Sequence, residues 1–209
     1  MRTDTDLGII VFAVLLGFGL WFVVFYLQPL NFWLGMGTAV FVLSAYALVV
    51  GGKTLITSQL RPDATAVVTG IISAGGLYVI FLVGNWLARM IFPFGGSDID
   101  SVYALSHNTP LPVIGILLTL VIGPGEELFW RGTVQRKMYR YVSGVSAVLL
   151  TAGLYAFVHI WTLNLVLILA AFICGLFWGF LYFYRDNLTP AVISHSLWSL
   201  MIFVLLPVG

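Results

Sequence analysis

Residues 163–184 decide the class of fold, because their sequence, LNLVLILAAFICGLFWGFLYFY, contains no charged side chain. A helix that crosses the roughly 30 Å hydrocarbon layer of a membrane needs about 20 mainly apolar residues. The stretch also lacks the alternation of apolar and polar residues that a strand of a membrane barrel requires. It therefore predicts a membrane-spanning helix.

The composition of the whole chain agrees with this segment. Of the 209 residues, 61% are hydrophobic and 8% are charged, whereas soluble domains average roughly 45–50% and 25%. A soluble domain is therefore excluded. The formal net charge of +1 gives no argument for a nucleic-acid partner, and the one cysteine cannot form an intramolecular disulfide.

Polar residues, prolines and glycines divide the chain into seven apolar segments. Their predicted spans are 7–27, 32–52, 64–92, 111–136, 143–161, 163–184 and 189–206. We therefore predict a single all-α domain over residues 1–209, a polytopic transmembrane bundle of about seven helices. Residues 94–109 form the longest polar connection, in which 101–106 is a candidate for a short interfacial helix.

The distribution of basic residues predicts an orientation. Cytoplasmic ends of membrane helices carry an excess of Lys and Arg. With the N-terminus in the cytoplasm, seven helices place the C-terminus outside, and most of the basic residues fall on the cytoplasmic side: Arg2, Lys53, Arg61, Arg136, Lys137, Arg140 and Arg185. The chain is thus predicted to be an integral, multi-pass membrane protein.

Five ionisable residues lie well inside predicted spans: Glu126, Glu127, Arg131, His159 and His195. Each such residue costs on the order of 2.5–3.5 kcal/mol at the centre of a membrane helix on insertion scales, so it is expected to have a partner or a function. They come from three segments that all lie after residue 110, and we predict that this motif-bearing core extends over residues 111–206. His107, in the polar connection, is not expected to take part.

Helix geometry separates the two acids. Glu127 and Arg131 are four residues apart and can form an ion pair, whereas Glu126 is rotated by about 100° and has no partner on its own face. Glu126 is therefore expected to point at another helix or at water, as a candidate general base. The preceding Gly-Pro-Gly at 123–125 is expected to bend the helix and make room for water or substrate.

The depths of these residues predict where a substrate would enter. Glu126 and His159 lie about 21 Å and 24 Å from the predicted cytoplasmic ends of their helices, and His195 lies only about 12 Å from its own. The three meet only if the last helix starts deeper in the membrane or the cavity tilts inward. This favours a site reached from the cytoplasmic half.

Three short motifs resemble those of the CAAX protease and bacteriocin-processing family of intramembrane endopeptidases, which includes the CAAX prenyl endopeptidases. The Glu-Glu-x-x-x-Arg motif stands at 126–131. The Phe-x-x-x-His motif appears at 155–159 with Tyr in place of Phe. The His-x-x-x-Asn motif appears at 195–199 with Ser in place of Asn.

The resemblance implies an enzyme, an endopeptidase that acts on peptides or proteins at the membrane, including C-terminally prenylated CAAX-like substrates. It implies that Glu126, assisted by His159, activates a water, and that His195 and Ser199 stabilise the oxyanion. Supporting roles fall to the remaining motif residues: Glu127, Arg131 and Tyr155.

The sequence leaves the question of a metal open. Glu126, His159 and His195 match the ligand types of a catalytic zinc site, whereas the resemblance implies a glutamate-dependent site without a firmly bound metal. Two other functions also stay open. One is a non-catalytic binding or bacteriocin-immunity protein, and the other is a small proton-coupled transporter, which would be expected to show broken helices in both halves of the chain.

Overall fold

The computed structural model describes residues 2–106 and 108–208, and His107 lies outside the described residues. Throughout the described part the regular structure is helical. The elements are α1 (Arg2–Trp21, continued by a π-helical turn at Phe22–Leu27), α2 (Phe32–Gln59), α3 (Ala64–Ile91), α4 (Gly95–Ala104), α5 (Leu111–Met138), α6 (Gly144–Val158, continued by a 3₁₀ turn at His159–Thr162), α7 (Leu165–Arg185) and α8 (Thr189–Leu200, continued by a π-helical turn at Met201–Leu205).

Six of these helices, all except α4 and α8, are long and apolar enough to cross a membrane. The shorter apolar helix α8 corresponds to the seventh predicted segment. The prediction of an all-α bundle of about seven helices is therefore confirmed. The short helix in the connection after α3 is also present, but α4 begins at Gly95, earlier than the predicted start at 101.

The second predicted segment was too short, because α2 continues to Gln59 instead of ending at 52. The chain kinks at Gly52, which has a φ of 59°, a left-handed value that glycine adopts more readily than other residues. The helix then resumes. Leu55 and Gln59 of this extension are buried. At Gly132 an added Cβ would lie 2.8 Å from Leu55 Cδ1, so the extension packs directly on α5.

The glycines before Glu126 bring helices together, so the expectation that they make room for water or substrate was wrong. An added Cβ at Gly123 would lie 2.8 Å from Ser196 Oγ of α8, and one at Gly125 would lie 2.4 Å from Ser44 Oγ of α2. The irregularity of α5 instead consists of two π-helical turns, Leu118–Ile122 and Trp130–Gln135. Such turns widen a helix locally and are frequent at functional sites.

The two ends of the bundle differ in charge. At one end, which we call the basic end, Asp6 of α1 forms ion pairs with Lys137, at 2.6 Å, and with Arg140. At the opposite end, the α4 end, Arg89 pairs with Asp100 at 3.0 Å. This grouping of basic residues agrees with the sequence pattern. Which end faces the cytoplasm stays a prediction.

Candidate active site

Five of the seven predicted site residues line one cavity of about 120 Å³ within the bundle. α5 contributes Glu126, α6 contributes Tyr155 and His159, and α8 contributes His195 and Ser199. All five side chains are buried. The sequence identified these residues by their chemical type, and the structure shows that they come from three helices and lie close together.

Glu127 is a hub of charged hydrogen bonds beside this cavity. Its Oε1 accepts a hydrogen bond from Arg131 Nη1 at 2.9 Å and another from His195 Nδ1 at 2.8 Å. Arg131 also donates from Nη2 to the carbonyl of Gly175 on α7, at 3.2 Å. The ion pair predicted from the four-residue spacing is confirmed, and the bond to His195 is an addition that the spacing could not indicate.

The carboxylate of Glu127 fixes the ring of His195. Because a carboxylate oxygen accepts, Nδ1 of His195 carries a proton and its Nε2 is left for other partners. The indole of Trp178 stacks on the same ring, with 3.7 Å between ring centres and 13° between planes. Trp178 is held in turn by a hydrogen bond from its Nε1 to Ser194 Oγ, at 3.2 Å. The orientation of His195 is therefore determined from two sides.

Glu126 points at α6, as expected, where Tyr155 donates from its hydroxyl to Glu126 Oε2 at 2.6 Å. This partner is on a neighbouring helix and not on α5, where none was expected. Its second oxygen, Oε1, makes no hydrogen bond with any other described residue, while the residue lines the cavity. One carboxylate oxygen is held, and the other is available to a molecule in the cavity.

His159 has hydrogen bonds at both ring nitrogens. Nδ1 lies 2.7 Å from the carbonyl oxygen of Tyr155, so it must be the protonated nitrogen. Nε2 then accepts from Trp21 Nε1 of α1 at 3.2 Å. Trp21 is fully buried and was missed by the sequence analysis. A usable signal was its position well inside a span, where an indole N–H needs an acceptor.

Ser199 lies one helical turn after His195, on the face of α8 that lines the cavity. This is the arrangement expected if both residues contact one substrate atom. A role for its hydroxyl stays a prediction.

Residues 108–201 match the family model described as type II CAAX prenyl endopeptidase Rce1-like. The matched segment, 94 of the 209 residues, is similar to this family. The resemblance drawn from the three motifs is thereby confirmed, and every predicted site residue lies inside the match. Neither a curated protein nor a solved structure shows significant similarity to the chain.

The cavity of the Rce1-like segment extends toward the α4 end. Its walls there include Val102 and Leu105 of the connection after α3, and Phe25, Phe32 and Trp33 near the turn between α1 and α2. These walls lie away from the basic end, and the side from which a substrate enters stays a prediction. The connection containing α4 forms part of the site.

The start of α8 explains how His195 reaches the level of Glu126. Thr189 and Ala191, in the first turn of α8, are buried. Leu188, just before that turn, is fully buried and donates its backbone N–H to the carbonyl of Gln59 at 2.8 Å. The helix thus begins inside the bundle. A deeper start of the last helix was one of the two conditions under which Glu126, His159 and His195 were expected to meet.

The Rce1-like site does not fit a metal in this arrangement. Among the described residues, no group of three His, Cys, Asp or Glu side chains is placed to hold a metal ion. Both nitrogens of His159 are engaged, and Nδ1 of His195 is bonded to Glu127. Glu126, His159 and His195 therefore do not form the ligand set that their residue types suggested.

Proposed function

We propose that the protein is an intramembrane endopeptidase in which Glu126 is the general base that activates a water. The family match supports peptide-bond hydrolysis, and the free Oε1 of Glu126 in the central cavity is the single observation that carries the assignment. Tyr155 holds the other oxygen, so the base has a fixed orientation. Such a base typically contributes a factor of about 10²–10⁴ in rate.

The proposed reaction moves one proton from the attacking water to the leaving amine and needs a second proton on His195. Glu126 takes a proton from the water as its oxygen bonds to the scissile carbonyl carbon, and later gives that proton to the leaving amine. His195, protonated on both nitrogens, donates from Nε2 to the developing oxyanion while Nδ1 stays bonded to Glu127. With both glutamates ionised, Arg131 and this protonated ring make the cluster formally neutral, which suits a site surrounded by apolar residues.

His159 supports Glu126 through position. Its N–H bond to the carbonyl of Tyr155 fixes the turn of α6 that carries the Tyr155 hydroxyl. Its Nε2 lone pair is already used by Trp21, so we assign it no proton transfer. The assistance that the resemblance implied for His159 is thus a positioning role, with α1 taking part through Trp21.

The proposed substrates are membrane-associated proteins, among them C-terminally prenylated CAAX-like proteins, which the description of the family suggests. The site is buried among helices that are long and apolar enough to span a membrane, so the scissile bond has to enter the bundle to reach it. The partners of the protein are therefore the bilayer and a peptide or protein substrate.

The test is cleavage of quenched fluorescent peptides by the purified protein in lipid vesicles. Peptides with and without a C-terminal prenylcysteine are compared. Glu126→Gln keeps the side-chain volume and removes the base, so we expect activity to fall by about 10²-fold or more. Asp186→Asn is the control, because its side chain is 95% exposed and lies at the basic end. A Glu126→Gln variant with normal activity would exclude this mechanism.

A further inference from the structure

A second, larger cavity of about 300 Å³ adjoins the site and has no role in the proposed reaction. We call it the α3–α7 groove. It lies between α3 and α7, with α4 and the end of α8 as its other walls. We propose that the groove binds the acyl chain of a membrane lipid.

The walls of the groove are apolar. Three of the lining side chains carry a polar atom: Asn85, Tyr103 and Trp198. Asn85 donates to the carbonyl of Val208, and the Tyr103 hydroxyl donates to the carbonyl of Ile202 at 3.0 Å. The indole N–H of Trp198 is buried in the wall and makes no hydrogen bond with the described residues. A ligand of this groove is therefore held almost entirely by apolar contacts, which suits a hydrocarbon chain.

The groove opens toward the lipid. Lining residues at its mouth are substantially exposed, with values of 60% for Ile91 on α3 and 40% for Ile173 on α7. Its deeper walls include Ala88, Ile99 and Ile202, each less than 10% exposed. In a bilayer the medium at this mouth is acyl chains, so the groove is filled from the membrane and not from water.

The length and the polar end of the groove fit one leaflet. Along α3 the lining extends from Ile80 to Ile91, which is about 16 Å of helix at 1.5 Å per residue. Half of a roughly 30 Å hydrocarbon layer is about 15 Å. The exposed ion pair of Arg89 and Asp100 lies beside the α4 end of the groove and gives that end a polar border.

The groove shares a wall with the active-site cavity. The residues that line both are Val102, Leu167, Ala170, Trp198 and Phe203. A chain bound in the groove would therefore touch residues that also contact the contents of the catalytic cavity. The binding site itself is independent of the proposed peptidase reaction.

The test uses the full-length protein in nanodiscs that contain a phosphatidylcholine with a photoactivatable diazirine in one acyl chain. Labelled residues are located by mass spectrometry. We expect labelling of the buried wall residues Ala88, Ile99 and Ile202 in addition to exposed positions such as Phe41 and Leu120. Labelling confined to exposed positions would mean that only the surrounding lipid is in contact, and would overturn the proposal.

A matched pair of glycine variants on α3 completes the test. Gly84 lines the groove, and a Cβ added there meets no atom within 4 Å. Gly84→Phe should therefore fill the groove and abolish labelling of the three buried residues, while Phe41 and Leu120 keep theirs. Gly76→Phe is the control, because Gly76 has the same free space and is not part of the groove. Equal labelling of the buried residues in both variants would also overturn the proposal.

Discussion

Removing the guanidinium of Arg131 should destabilise the protein more than any single change at its surface. Arg131 is 1% exposed and Glu127 is completely buried, so neither charge can be hydrated when its partner is lost. Breaking such a pair by removing one partner typically costs about 3–5 kcal/mol. Arg131→Gln also loses the bonds to the carbonyls of Gly175 and Cys174 on α7. We therefore expect a loss of free energy of unfolding in the upper part of that range.

A double-mutant cycle separates the ion pair from these other contacts. Glu127→Gln with Arg131→Gln removes one negative and one positive charge together, so the formal charge of the buried cluster does not change. We expect the double variant to be more stable than the sum of the single losses predicts, with a coupling free energy within the usual 0.5–3 kcal/mol for contacting residues. The full loss is not recovered, because the α7 carbonyls remain without their donor.

The measurement is unfolding of the purified variants in mixed micelles with increasing denaturing detergent, followed by circular dichroism. Arg61→Gln is the control, since the side chain of its partner Asp186 is 95% exposed and stays hydrated when the pair is lost. Additive losses in the cycle would refute the reasoning, because they would mean that Glu127 and Arg131 do not interact. A loss at Arg61 as large as that at Arg131 would refute the argument from burial.

Two further predictions concern the neighbours of the histidines. Trp21→Phe leaves His159 Nε2 as a buried acceptor without a donor, so we expect a loss of about 1–3 kcal/mol in stability and a lower kcat with little change in KM. The control Trp86→Phe, at an exposed position, should alter neither stability nor kinetics. Unchanged kinetics in Trp21→Phe would exclude the positioning role of His159. If Ser199 donates to the oxyanion, Ser199→Ala should lower kcat by about 10²–10³-fold, and Ser199→Asn should retain activity in the same peptide assay. A loss of less than tenfold in the Ala variant would indicate that Ser199 only packs.

Features set by local sequence were predictable. The apolar segments follow from length and hydropathy, because every backbone polar group in a membrane must be satisfied within its own helix. The Glu127–Arg131 pair follows from four-residue spacing, because helical residues at that spacing are neighbours. In both cases the contacts lie within one helix. The sequence pattern alone was therefore enough to predict them.

Contacts between distant segments could not be predicted in this way. Trp21 and His159 are 138 residues apart, and Glu127 and His195 are 68 apart. Neither pair leaves a periodic signal in the sequence, because each depends on how two separate helices pack. The depth of His195 was misjudged for a related reason: it was counted from loop residues, whereas the start of α8 is already buried around Ala191.

In the proposed reaction, the two adjacent glutamates give one helix both a structural and a reactive acid. Glu127 accepts two hydrogen bonds from cationic or protonated groups at one oxygen, and its other oxygen is buried without a partner. Glu126, rotated by about 100°, faces the cavity and bonds only to a neutral hydroxyl. A carboxylate held by a cation is a poor base, because taking up a proton would break the ion pair. The rotation between neighbouring positions therefore leaves Glu126, and not Glu127, free to accept a proton from a molecule in the cavity.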